Sequence, residues 1–230
     1  MPIKTAVAGA GRMGQAVADA IEQSADFELA GVWRRGEDLD ALIKECDVVV
    51  DFSLPEATEL LLAAVLAQGK PLVCGVSGLS VAQTKRLQAA SAHIPLLFDR
   101  NMSVGIAVLE RSVQQAAASL GPDFDITISE VHHVHKKDAP SGTALKLGEA
   151  IAASRGNVGT SGVTFDVERR GEVPGDHQVS MRSATESLTF AHSVTTRDVF
   201  ASGAIRAAKW LIEQPPGLYS MQDMLFGGID

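Results

Sequence analysis

The sequence predicts an α/β protein in which a doubly wound domain with a parallel sheet is joined to an α+β domain whose sheet is mixed and largely antiparallel. Three observations carry this. Over the first hundred residues short apolar runs alternate with helical patterns, as βαβ crossovers and a sheet covered on both faces require. A glycine-rich turn, Gly9–Gly14, joins the first strand-like run to the first helical one. Beyond Ser103 the pattern changes, and after Gly162 runs rich in Thr, Ser and Val follow one another with only turn residues such as Pro174-Gly175-Asp176 between them, which reads as antiparallel pairing.

In the first part, strands are expected at Ile3–Ala8, Phe27–Trp33, Val48–Phe52, Leu72–Gly75 and Ile94–Phe98. Met13, Ala16, Val17, Ala20 and Ile21 recur at helical spacing and give one apolar face. A second helix follows Ser53-Leu54-Pro55-Glu56, with Ser53 as its cap, Pro55 in the first turn and Glu56 completing a capping box, and Gly69 closes it. The next starts at Ser80, with Gln83 three residues on.

After Asn101-Met102-Ser103 a helix is expected over Val104–Leu120, a strand over Phe124–Val131 and a helix over Thr143–Ser154. Strands follow at Val163–Arg170, His177–Arg182 and Glu186–Val194. A helix over Asp198–Gln214, stopped by Pro215-Pro216-Gly217, and a short tail end the chain. No internal repeat or low-complexity tract is present.

At 230 residues and 46% hydrophobic content the chain can bury a full core without staples. A net charge of −8 argues against nucleic-acid or anionic-membrane partners, which need a dominant basic surface. Cys46 and Cys74 lie in apolar surroundings without metal-ligand spacing, which fits a reducing cytoplasm. The N-terminus lacks a charged segment followed by a long apolar one, and no apolar run approaches the ~18 residues of a membrane span.

The turn Gly9-Ala10-Gly11-Arg12-Met13-Gly14 is G-x-G-x-x-G between a strand and a helix, the Rossmann-type dinucleotide fingerprint. Gly9 permits the tight turn, Gly11 lets backbone amides approach a pyrophosphate, and Gly14 lets helix and strand pack closely. An NAD-selective site usually carries an acidic residue at the end of the second strand; here Trp33 stands there, followed by Arg34 and Arg35. A guanidinium suits a 2′-phosphate, so Arg34 points to acceptance of NADPH, with two solvated arginines as the alternative. Gly75-Val76-Ser77-Gly78 and Asp99-Arg100-Asn101-Met102 follow strands and are candidates for the nicotinamide pocket.

The richest stretch chemically is Glu130–Thr143, with three of the six histidines and two lysines where a strand ends. A strand places His132 and His133 on opposite faces, so a shared task needs the strand to stop or bend there. Pro140-Ser141-Gly142-Thr143 begins a helix whose amides and positive dipole end favour an anion. Lys136 beside it completes a carboxylate cradle, and an imidazole can move a proton near neutral pH. Two other readings stay open: a metal bound by His133-x-His135, although no cysteine or nearby carboxylate pattern completes a set and the lysines oppose a cation, and a merely polar surface turn.

The stretch Glu130–Thr143 reproduces E-x-H-H-x-x-K-x-D-A-P-S-G-T, and the chain thereby resembles the 4-hydroxy-tetrahydrodipicolinate reductase (dihydrodipicolinate reductase) family. The resemblance extends to Val7–Gly14, Asp51-Phe52-Ser53, Asn101–Gly105, Arg170–His177 and Phe200–Arg206. It implies reduction of a cyclic dicarboxylated imine-type substrate to tetrahydrodipicolinate, with loss of water, by NADPH and/or NADH on the diaminopimelate route to lysine. It makes His132 the acid/base residue and Lys136 the proton donor, gives the substrate carboxylates to His133, Gly142 and Thr143, and gives the cofactor to Gly9–Gly14, Gly75–Ser77 and Asp99–Met102. It also implies a discontinuous dinucleotide domain, 1–103 with 197–230, around a substrate and oligomerisation domain, 104–196, in a homotetramer. An aspartate-dehydrogenase-like enzyme would account for Gly9–Gly14 but not for the histidine and lysine stretch. A silent ligand-binding relative would be expected to lack His132 or Lys136, and both are present.

Overall fold

A computed structural model describes residues 1–227, and the chain divides into two units, Met1–Val104 with the stretch from Arg197 onward, and Gly105–Thr196.

In the first unit β1 (Ile3–Ala8), α1 (Arg12–Glu22), β2 (Phe27–Trp33), α2 (Leu39–Lys44), β3 (Val48–Asp51), α3 (Thr58–Gln68), β4 (Leu72–Cys74), α4 (Val81–Ala90) and β5 (Pro95–Phe98) alternate along the chain. The strands are parallel and ordered β5-β4-β3-β1-β2. The chain therefore steps one way from β1 to β2 and the other way to β3, which puts the topological switch beside β1 and its carboxyl end. β1 and β3 read as near-continuous apolar runs because helices cover both faces, and Val7, Val48 and Val50 are fully buried.

Two local expectations are corrected. Ser53 does not cap the second helix: a short 3₁₀ turn, Pro55–Ala57, with Leu54 at its cap position, leads into α3, and no side chain caps either. The Ser53 amide instead donates to Asp51 Oδ1 (2.8 Å), which draws the residue back to the strand end. The buried stripe of α1 is Gly14, Val17, Ala18 and Ile21 rather than the larger apolar set, since small residues allow a close approach to a neighbouring helix. The capping box at Ser80 and Gln83 forms as expected.

The second unit consists of α5 (Val104–Leu120, its first residue at the junction), β6 (Asp125–His132), α6 (Gly142–Ser154), β7 (Val163–Arg169), β8 (Asp176–Arg182) and β9 (Ser187–His192). Its sheet is ordered β7-β6-β8-β9, with β6 parallel to β7 and antiparallel to β8. Here the sequence reading needs correction: Pro174-Gly175-Asp176 does not join paired neighbours, because β6 lies between β7 and β8. On one face Ile126 and Ile128, Val179 and Met181 pack with Ile106, Leu109 and Val113 of α5 and Leu147 and Ile151 of α6. The other face carries small and polar residues, Thr127, Ser129, Ser180 and Thr189 among them.

From Arg197 the chain returns to the first unit. There α7 (Asp198–Leu211) packs on α1 and on β3 to β5, β10 (Gly217–Tyr219) adds a parallel strand beside β5, and α8 (Met221–Phe226) follows. A Cβ at Gly203 would lie 1.7 Å from the Met102 carbonyl oxygen, so only glycine lets α7 cross there. β10, α8 and α2 were not legible in the sequence. β10 is too short to carry a periodicity, and the helices have only six residues each.

Candidate active site

The inner face of β6 changes chemistry along its length. Period-two alternation puts Ile126, Ile128, Glu130 and His132 on that face, and all four are buried. Register does the rest: Glu130 lies opposite His177, His132 opposite Arg169, and His177 opposite His192. An apolar floor thus ends in a row of ionisable groups where the strand stops.

Glu130 is the hub of that row. It is 1% exposed, and a buried carboxylate is costly unless paired and hydrogen-bonded. It accepts the Ser141 amide at 3.1 and 3.2 Å and Arg169 Nη1 at 3.1 Å. Its Oε2 lies 3.6 Å from His132 Nδ1 and 3.7 Å from His177 Nε2. The His132 and His177 rings meet edge to face with centroids 5.1 Å apart. Burial pushes the His132 pKa down, which Glu130 opposes and the Lys136 and Arg169 cations reinforce, so the resting imidazole is neutral. Burial and the neighbouring His132 take His177 to about 4.

Ser141 caps α6: its Oγ accepts the Ala144 amide at 3.1 Å and lies 3.3 Å from His177 Nε2. Gly142 and Thr143 form the first turn. The loop between His132 and Ser141 returns Lys136 toward this helix start, where its ammonium lies 2.9 Å from Asp138 Oδ2. Although partial burial opposes it, Lys136 and the Gly142 amide hold the Asp138 carboxyl below its usual range. At rest a carboxylate of the chain itself therefore occupies the cationic, amide-lined place that the sequence marked as an anion cradle. The peptide bond before Pro140 is cis.

The structure thus brings His132, Lys136 and Gly142 together at one end of the second unit's sheet. Thr143 follows in the helix start and His133 in the loop, half-buried. His135 is exposed and pairs with Glu172 at 3.2 Å. Among the described residues the group with metal-ligand spacing is Glu130, His132 and His177 rather than His133-x-His135. The fold does supply a carboxylate that the sequence reading did not find, but the Arg169 guanidinium on Glu130 opposes a cation there. Glu130, Arg169, His177 and Asp138 were missed as site residues. The usable signal was a Glu and a His continuing the buried alternation of Ile126 and Ile128.

In the first unit the other sequence-predicted residues share the carboxyl edge of the parallel sheet. Gly9 (φ +100°) makes the turn against the Phe52 carbonyl, and a Cβ on Gly14 would lie 1.7 Å from the Gly9 oxygen, so helix and turn touch. A Cβ on Gly11 would meet nothing within 4 Å. No side chain caps α1 and its first turn has no acidic residue, leaving an end suited to an anion. Arg12 and Ser77 are exposed, with Ala10 and Met13 beside the turn and Gly75 lying under the Phe52 ring. The side chains of Val76, Asp99 and Met102 are buried. Asp99 accepts the Asn101 amide at 3.2 Å and the Met221 amide at 3.3 Å, so its carboxylate ties β5 to α8. Arg100 is exposed and Asn101 half-buried. Trp33 turns into the core and donates its indole N–H to the Glu37 carbonyl, while Arg34 and Arg35 stay exposed.

Comparison with known proteins agrees with this architecture. The family described as dihydrodipicolinate reductase, N-terminus, matches residues 3–102, and its C-terminus counterpart matches residues 105–225. The 4-hydroxy-tetrahydrodipicolinate reductase of Caulobacter vibrioides is 44% identical, with 97% of each chain covered. That of Sulfurimonas denitrificans is 39% identical over 97% of this chain and 99% of its own. The dipicolinate-bound dihydrodipicolinate reductase of Paenisporosarcina sp. TG-14 has the same fold, with a TM-score of 0.81 at 22% identity, covering 96% of this chain and 98% of the other. The chain belongs to the 4-hydroxy-tetrahydrodipicolinate reductase family and is an NAD(P)H-dependent reductase of the diaminopimelate route to lysine.

Proposed function

We propose that the end of the second unit's sheet carries the proton chemistry of this reduction, with Lys136 as proton donor and His132 as the acid/base residue. The observation that carries the reading is the pairing of a buried, neutral His132 with a cationic Lys136 beside the start of α6. NAD(P)H supplies the hydride. Hydride arriving at an unsaturated ring leaves electron density that needs a proton, and the Lys136 ammonium can give one at once. A neutral imidazole can then take up and pass on a proton near neutral pH. His133, Gly142 and Thr143 hold the substrate carboxylates. The Asp138 carboxylate, now held by Lys136 and the Gly142 amide, supports this by the chemistry of its partners.

The dinucleotide belongs to the domain formed by 1–103 and 197–230. Its phosphates sit at Gly9, Ala10, Gly11, Arg12, Met13 and Gly14, and its nicotinamide end lies along Gly75, Val76, Ser77 and Asp99, Arg100, Asn101, Met102. Val76, Asp99 and Met102 contribute through the backbone, since their side chains are buried. Exposed Arg34 favours acceptance of NADPH. Residues 104–196 bind substrate and assemble a homotetramer through the small, polar face of their sheet. The free thiols of Cys46 and Cys74 support a cytoplasmic location, and among the described residues no helix is long and apolar enough to cross a membrane. The test is oxidation of NADPH in the presence of the freshly condensed product of aspartate semialdehyde and pyruvate. Oxidation that depends on that product is expected, and none under those conditions contradicts the assignment.

A further inference from the structure

The geometry points to Arg169 as the positioning residue of this site: its guanidinium fixes the loop that carries Lys136. Arg169 ends β7, directly beside His132 in the register. Its Nη1 donates to Glu130 Oε1 at 3.1 Å, its Nε to the Lys136 carbonyl at 3.3 Å and its Nη2 to the Asp138 carbonyl. One planar group thus bridges the buried hub of the sheet to the backbone on both sides of Lys137. Glu130 in turn holds the Ser141 amide at the start of α6. Backbone bonds from the sequence after β7 hold only the near end of this loop: the Arg170 amide donates to the His132 carbonyl at 2.8 Å and the Val134 amide to the Gly171 carbonyl at 3.1 Å, among the described residues.

Charge and shape contribute separately. The positive charge offsets the pull of Glu130 on a His132 proton, which helps burial keep that imidazole neutral. The fork satisfies two carbonyls at once, which one ammonium on a flexible stem cannot reproduce. Arg169 is itself about one-fifth exposed at the side chain, and its guanidinium donors are spent on Glu130 and on the backbone around Lys136, so its role is to place Lys136. Misplacement of a reacting group by about 1 Å costs on the order of a hundredfold in rate.

This inference rests on Lys136 being the proton donor, and the experiment separates the two. Arg169→Lys and Arg169→Ala are compared with the parent and with Lys136→Ala, each as the full chain with parental circular dichroism. Both Arg169 variants are expected to lose turnover, by about a hundredfold for Ala, with NADPH affinity unchanged. Guanidinium ion far below denaturing concentrations should restore part of the turnover of Arg169→Ala, and ammonium should not. Placed on Lys136→Ala, Arg169→Lys should cost no more than about threefold further, because the group it positions is gone. Should Arg169→Ala fail to fold, Arg169→Lys and its double variant carry the test. Turnover of Arg169→Lys within about threefold of the parent, or independent losses in the double variant, overturns the role of Arg169. Parental turnover in Lys136→Ala overturns the reading of Lys136 instead.

Discussion

Acid should destabilise the second unit through His177. Its ring is 4% exposed, and burial with the adjacent His132 holds its pKa at about 4 rather than the ordinary 6.5. In the unfolded chain the same ring protonates near its ordinary value. The folded-state pKa is depressed, so between pH 6.5 and 4 the unfolded chain binds more protons, and stability falls as pH falls across that window. Through the linkage relation the loss reaches about 2 kcal/mol at pH 5 and about 3 kcal/mol at pH 4, with none above pH 7. His177→Gln keeps a polar group for the Ser141 hydroxyl and cannot take up the proton. In urea titrations followed by far-ultraviolet circular dichroism, the parent should therefore lose about 3 kcal/mol relative to this variant between pH 7 and pH 4. Comparing the two proteins at each pH cancels the contribution of the remote Asp51, which both retain, and reads the His177 titration together with its coupling to His132. A parent-to-variant difference that does not change with pH refutes the reasoning.

Three further outcomes are expected. Gly175→Ala places a Cβ 3.0 Å from His132 Nε2, so turnover should fall by about tenfold with NADPH affinity unchanged in a fluorescence titration. Asp51 is 1% exposed and burial raises its carboxyl to about 6, outweighing the Ser53 hydrogen bonds. A raised folded-state pKa gives stability below the unfolded value of 3.8 that is lost as pH rises through 6. Asp51→Asn should therefore stabilise by about 1 to 2 kcal/mol at pH 8, after the lost charged hydrogen bond is subtracted, and not at pH 4, in urea titrations at both pH values. Arg34→Ala should lower kcat/KM for NADPH relative to NADH by about tenfold, and an unchanged ratio removes Arg34 from the 2′-phosphate.

Much of the fold was legible because each signal had a single cause. Val48, Val49 and Val50 read as a strand buried on both faces, and Ser80 with Gln83 marked a helix start by reciprocal hydrogen bonds. The candidate site was legible on one strand and its following loop, where His132, Lys136 and Gly142 are neighbours in sequence. What could not be read was register. The order β7-β6-β8-β9 brings Arg169 and His177 to either side of Glu130 and His132, 37 and 45 residues after His132. Turn residues at Pro174–Asp176 signal a reversal but not which strand lies between. Ser53 failed as a cap because its amide answers Asp51, a tertiary demand absent from the local pattern.

The central claim, that Lys136 delivers the proton while the dinucleotide is held by other residues, is tested most directly by measuring turnover and NADPH affinity together in Lys136→Ala. The account predicts a loss of turnover of at least about a hundredfold, with the NADPH dissociation constant within about twofold of the parent. Near-parental turnover, or a parallel collapse of NADPH affinity, would contradict it.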